Sequence, residues 1–163
     1  MSKIIFIFIF TLTLLFSQEN ESFPFVGIGT SAQNIDLDNQ SNNENTISLR
    51  YGKQTLNWRT FFTYEFKNSD YQSLSVEIDK ILLDETFGTP KLRPYLGLSG
   101  GLLKYKEESL DDTDGFYYGG NTGFIIYLTD TIDMDLSYHY NVVQELETID
   151  SIHGATFSIH YFY

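Results

Sequence analysis

Nine charged or titratable residues sit at alternate positions within apolar segments: Arg50, Arg59, Glu65, Lys67, Glu77, Asp79, Asp133, Asp135 and His139. Two chemistries suit such a set. Charges held in a low-dielectric interior must pair, so crossed pairs such as Arg50 or Arg59 with Glu77 or Asp135 make a polar plug. Strung along one passage, the same groups make a gated path for ions. A third chemistry has less behind it. Ser137 and His139 lie two apart, on one face of a strand, so their side chains can approach. A nucleophile and base also need an oriented third group, and nothing in the sequence demands one. His153 and His160 read as lumen or interface residues. No catalytic residue, cofactor or metal site is assigned, and no enzyme activity is expected.

A second acidic group has a different setting. Glu107, Glu108, Asp111, Asp112 and Asp114 lie together before Gly115. In a calcium-loop frame Leu110 takes the first ligand position, and Asn121 takes the twelfth, where Glu is required. The stretch therefore reads as a solvated loop. Loose bridging of divalent cations to a lipopolysaccharide surface is the more plausible cation chemistry.

The elements that position these groups are strands. Eight segments alternate with period two, the pattern of a half-buried strand. They are Val26–Ala32, Thr46–Tyr51, Trp58–Phe66, Ser73–Asp79, Arg93–Leu102, Tyr118–Leu128, Ile132–Tyr140 and Ala155–Tyr163. In the second, Ile47, Leu49 and Tyr51 oppose Ser48 and Arg50. In the seventh, Ile132, Met134, Leu136, Tyr138 and Tyr140 oppose Asp133, Asp135, Ser137 and His139. Inner-face Gly27, Gly29, Gly97, Ser99, Gly101 and Gly123 leave room for large partners. Polar loops are expected near 34–45, 68–72, 106–115 and 142–151. Short turns are expected near 52–57, 84–90 and 129–131.

The N-terminus reads as a secretory signal. Lys3 precedes an apolar run from Ile4 to Phe16, and Ser17 offers a small residue for cleavage. The run is too short for a helix spanning a bilayer, which needs about 20 residues. Residues 1–17 are thus a leader, and 18–163 form one domain of 146 residues. Removing Lys3 with the leader leaves 9 basic and 22 acidic residues, a net charge of −13. That excess argues against nucleic acid and against a polybasic, heparin-type adhesin. With no cysteine, a disulfide scaffold and a lipid-modified Cys are both excluded.

Aromatic residues make up 17% of the chain, and they alternate rather than cluster. The last strand sets Phe157, Ile159, Tyr161 and Tyr163 on one face. It is expected to pair with Val26–Ala32 and to turn those four toward lipid. In a bilayer only helices and closed barrels satisfy every backbone group, and the chain offers no membrane helix. The fold expected is therefore all-β, an eight-stranded antiparallel up-and-down transmembrane β-barrel with short turns at the periplasmic end. Tyr51, Trp58 and Tyr140 near strand ends suit an interfacial girdle. A soluble β-sandwich or lipocalin alternates too, and the period alone does not say which face is outside.

Arg93-Pro-Tyr-Leu-Gly-Leu-Ser-Gly-Gly101 resembles a barrel strand of the OmpA-like, porin-family outer-membrane proteins. Tyr127-Leu-Thr-Asp-Thr-Ile-Asp-Met-Asp-Leu-Ser-Tyr-His-Tyr140 resembles the hairpin that follows. That hairpin commonly ends aromatic-Arg-aromatic, where this chain has Tyr138-His139-Tyr140. Tyr163 resembles the terminal aromatic read by the barrel-assembly machinery. The resemblance implies the bacterial outer membrane, lipid and lipopolysaccharide as surroundings, and that machinery as a partner during biogenesis. It does not imply peptidoglycan binding, because no segment here matches the domain that carries it. His139-Tyr-Asn141 echoes part of the His-x-Ser-Asn pattern of lipid A deacylases, but the nucleophilic Ser is missing. The expected role is structural or surface-interactive: membrane integrity, adhesion or recognition through acidic loops. The alternative is a narrow channel for ions or small solutes.

Overall fold

The computed structural model describes residues 21–37, 40–67, 71–82, 89–105, 114–144 and 149–163. They form eight strands: β1 Phe23–Leu37, β2 Gln40–Gln54, β3 Trp58–Lys67, β4 Tyr71–Ile81, β5 Leu92–Tyr105, β6 Asp114–Tyr127, β7 Ile132–Gln144 and β8 Ile149–Phe162. Each pairs antiparallel with the next, and β1 pairs with β8 to close the barrel. The closing register runs from Phe25↔Phe162 to Leu37↔Ile149, with one irregularity between Asp36 and Leu37. Closure removes the free edges that an open sheet would present to lipid. The leader, 1–17, lies outside the described residues.

Alternation decides the faces, and closure decides which one is outside. Leu96, Leu98 and Leu102 are 58%, 72% and 65% exposed. Ile28, Leu49, Phe62, Leu74, Leu136 and Phe157 face outward with them. Arg59, Asp79, Asp133 and Asp135 are wholly buried within. This is the inverse of a soluble barrel, and an apolar belt of this extent requires a lipid surround. The sandwich and lipocalin readings are thereby excluded.

The turns at one end are tight. Thr55 Oγ accepts from the Trp58 amide at 3.1 Å, holding residues 55–57 between β2 and β3. Thr129 Oγ accepts from the Thr131 amide at 3.2 Å between β6 and β7. Residues 83–88, which include most of the expected 84–90 turn, lie outside the described residues.

The opposite end corrects the sequence reading. Residues 34–37 and 40–45 are strand rather than loop, and β1 and β2 stay paired as far as Leu37↔Gln40; 38–39 lie outside the described residues. Likewise β7 runs to Gln144 and β8 starts at Ile149, within the expected 142–151 loop. Asn and Asp are poor strand formers, but cross-strand pairing outweighs such weak preferences. Outward Ser41, Asn43 and Asn45 are exposed there, so the wall continues as a polar collar above the apolar belt. Parts of the expected 68–72 and 106–115 loops belong to β4 and β6, and 68–70 and 106–113 lie outside the described residues.

Candidate functional site

The lumen is built in three layers. At the turn end, Phe25, Phe61 and Phe162 form one apolar cluster. Ile81, Tyr95 and Ile125 form a second, with Tyr127 packed against it. At the collar end, Ile35, Tyr71, Leu103, Tyr105, Tyr117, Val143, Ile149 and Ile152 form a larger one. The charges lie between these caps. Sequence reading expected polar and small residues along the inner face and missed the caps. Their signal was present as apolar doublets that break the alternation: Phe61–Phe62, Leu102–Leu103, Ile125–Ile126 and Val142–Val143. Each doublet sends one side chain to lipid and the other into the lumen.

Arg59 organises the middle layer. Its Nε and Nη2 donate to Asp79 Oδ2 at 3.0 and 2.9 Å, and Nη2 also donates to Asp135 Oδ2 at 2.5 Å. The guanidinium lies over the rings of Phe61 and Tyr95, 5.0 and 4.8 Å from their centroids. Planar, forked and always charged, it suits a site with two carboxylates and two aromatic faces. Tyr95 Oη donates to Asp135 Oδ1 at 3.2 Å, and Arg50 Nη1 stands 3.6 Å from the same oxygen. Asn121 Nδ2 bridges Asp79 and Glu77 at 2.9 and 3.1 Å, and Thr63 donates to Glu77 at 2.9 Å. Gly97 lies against this knot; a Cβ there would collide with the Asp79 carboxylate and the Asn121 amide.

The other predicted lumen residues occupy separate places. Asp133 pairs with His160 Nδ1 at 2.7 Å near the turn end. Glu65 is hydrogen-bonded by Thr46, higher up. His139 faces Thr156 at 3.5 Å. Lys67, read as a lumen charge, is on the inner face at the collar end and pairs there with Glu44. Asp79, His160 and Asn121 complete the network, although sequence reading gave none of them a partner. Arg59 and Asp135 are 76 positions apart, so register was needed to join them.

Ser137 and His139 line a small cavity of about 40 Å³ with Arg50, Glu65, Glu77 and Thr156. Such a space holds on the order of two or three waters. It has no room for a lipid substrate, and Tyr71, Tyr117 and Ile152 bound it toward the collar.

The collar end carries charge of the other kind. By sequence, segments 33–46, 67–72, 104–115 and 142–152 hold twelve acidic and three basic residues, of which Asp36, Glu44, Asp114, Asp150, Lys67 and Lys104 are described. Among them, Asp36 accepts from Ser151 Oγ at 2.8 Å and lies 3.3 Å from His153 Nε2. The other imidazole nitrogen meets Tyr138 Oη at 3.1 Å, and Tyr140 stacks on the ring at 6.0 Å. This chain ties β1, β8 and β7 together at the outer interface. The calcium-loop reading falls mainly on 106–113, outside the described residues.

Comparisons with known proteins give likeness in fold. Neisserial surface protein A superposes with a TM-score of 0.72 at 14% identity, over 88% of this chain and 100% of that one. Outer membrane protein H of P. aeruginosa gives 0.62 at 20% identity, over 86% and 99%. Ail, the attachment invasion locus protein of Yersinia pestis, gives 0.58 at 16%, over 88% and 99%; it was solved with the heparin analogue sucrose octasulfate. The fold is that of the small eight-stranded outer-membrane barrels. No protein-family model matches this sequence, and a search of curated proteins finds no match.

Proposed function

We propose that this chain is an integral outer-membrane barrel whose working surface is its acidic outer end, serving envelope integrity and surface recognition. The observation that carries this reading is the lumen. An eight-stranded barrel has an interior only wide enough for side chains to fill it. Here apolar clusters cap it at both ends, and Arg59, fully buried, is locked to two carboxylates between them. The interior is spent on stability, which leaves the outer collar to meet partners. Export through a cleaved leader and insertion by the barrel-assembly machinery complete the reading. Phe157, Ile159, Tyr161 and Tyr163 act as the assembly signal.

Charge sets the class of partner. Twelve acids against three bases repel polyanions, so a heparin-type ligand such as the one bound to Ail does not suit this collar. Basic protein surfaces suit it, as do lipopolysaccharide phosphates bridged by divalent cations. The barrel, folded in a nanodisc, should bind polylysine in a salt-sensitive manner and leave heparin unbound. Lipopolysaccharide binding should rise with calcium and fall with chelator. Heparin binding, or lipopolysaccharide binding indifferent to calcium, would overturn this assignment. A narrow channel is the second reading, favoured only by the polar middle layer, and conductance separates the two.

A further inference from the structure

Two of the three outward basic residues on the strands lie together on the turn-end rim; the third, Lys104 on β5, lies at the collar end. Lys53 on β2 and Lys80 on β4 both point outward at the lower edge of the apolar belt. β3 lies between them. Its Thr60 is the register partner of Lys53, and its Trp58 is the partner of Lys80. Lys80 Nζ stands 4.7 Å from the centroid of the Trp58 ring. Neither lysine forms an ion pair among the described residues. Thr60 Oγ is shielded from solvent and makes no hydrogen bond. On the other strands the outward positions at this level are Pro24, Leu96, Ile126, Ile132 and Tyr161, none of them charged; the turns beyond carry Lys91 and Asp130. Two ammonium groups and the Trp58 ring therefore share one three-strand patch, and no described carboxylate pairs with either lysine.

We propose that this patch is a binding site for the phosphodiester headgroup of an anionic phospholipid in the inner leaflet of the membrane. The chemistry is that of ammonium donors meeting phosphate oxygens, with Lys acting as a point charge. The placement decides the source of the phosphate. The patch borders the acyl-chain belt at the short-turn end, so a headgroup arrives with its tails already against Leu74, Ile78 and Phe62. A net negative headgroup is preferred over a zwitterionic one, because two ammonium groups meet it and none of the described outward strand residues on this rim is acidic. Cation–π contact with Trp58 holds Lys80 at the interface and limits its freedom before the lipid binds. The site gives the barrel a fixed lipid contact on the β2–β4 side, remote from the acidic collar. It rests on the transmembrane reading of the fold and is independent of what the outer collar binds.

Trp58 is the single tryptophan of the chain and reports on its own site. The folded barrel, in mixed micelles, is titrated with brominated phosphatidylglycerol and, separately, with brominated phosphatidylcholine, and Trp58 quenching is read. Phosphatidylglycerol should quench preferentially, with the preference weakening as salt screens the lysines. Lys53→Gln with Lys80→Gln should reduce it roughly thirtyfold, the product of two lysines at the membrane surface. Both substitutions lie on the outer wall, and the heat-dependent gel shift of a barrel confirms that the variant is folded. Equal quenching by the two lipids would overturn the proposal, as would a preference that survives in the folded double variant. Displacement by millimolar inorganic phosphate would also overturn it, by assigning the patch to a soluble anion.

Discussion

The middle of the lumen and the outer collar are both acidic, yet they are built to opposite ends. In the lumen, Asp79 and Asp135 are met by Arg59, and Asp133 by His160, at 2.5–3.0 Å and with no exposure to water. At the collar, Asp114 and Asp150 are exposed to solvent, and Asp36 and Glu44, paired with His153 and Lys67, are partly open to it. A buried charge without its partner is expensive, so the lumen residues constrain one another. A solvated charge is free to meet something else. The difference teaches that charge count alone does not locate function: pairing and burial sort structural acids from available ones.

The largest effect should come from breaking the lumen side. Arg59→Ala strands Asp79 and Asp135 and should cost about 3–5 kcal/mol, read by urea unfolding in lipid vesicles. A loss below about 1 kcal/mol would place Arg59 among the weak surface pairs and remove the contrast with the collar. Next in size is the apolar wall. Leu98→Arg, at 72% exposure on the belt, should cost about 2–4 kcal/mol in a bilayer. Asn43→Arg on the polar collar should be close to neutral in the same assay.

Two glycines on β5 sharpen the comparison further. Gly97 faces the ionic knot, and Gly97→Ala should cost about 1–3 kcal/mol through overpacking. Gly100 faces outward, where a Cβ would come no nearer than 3.7 Å to the Tyr117 carbonyl oxygen. Gly100→Ala should therefore fall within about 0.5 kcal/mol of neutral. The smallest effect on stability belongs to the collar. Asp114→Asn with Asp150→Asn should change unfolding by less than about 1 kcal/mol, while weakening polylysine binding measurably.

Much of this molecule was legible from its sequence, and the physical reason is period two. Alternation placed Arg50, Arg59, Glu77, Asp133 and Asp135 on one face and Leu49, Phe62 and Leu136 on the other. Strand ends were less legible. The Asn-rich run 34–45 has the composition of a loop, but β1 and β2 offer each other hydrogen bonds that composition does not record. The caps were hidden for a related reason. Ile35 lay within a supposed loop, and the doublets at 61–62, 102–103 and 125–126 blur the alternation by which the faces were assigned. Partner identity was the least legible. Whether Asp135 would meet Arg50, Arg59 or both depends on shear across the closed barrel, which local spacing does not encode.

The central claim is that the lumen is sealed and the collar does the work. Single-channel recording in planar bilayers tests it most directly, with insertion verified by the heat-dependent gel shift. The account predicts a folded, inserted protein that stays electrically silent at neutral pH, and an Arg59→Ala variant that loses stability without opening a defined conductance. Stepwise conductance in the native protein, altered by Arg59→Ala or Glu77→Ala, would contradict it and establish the lumen as a path.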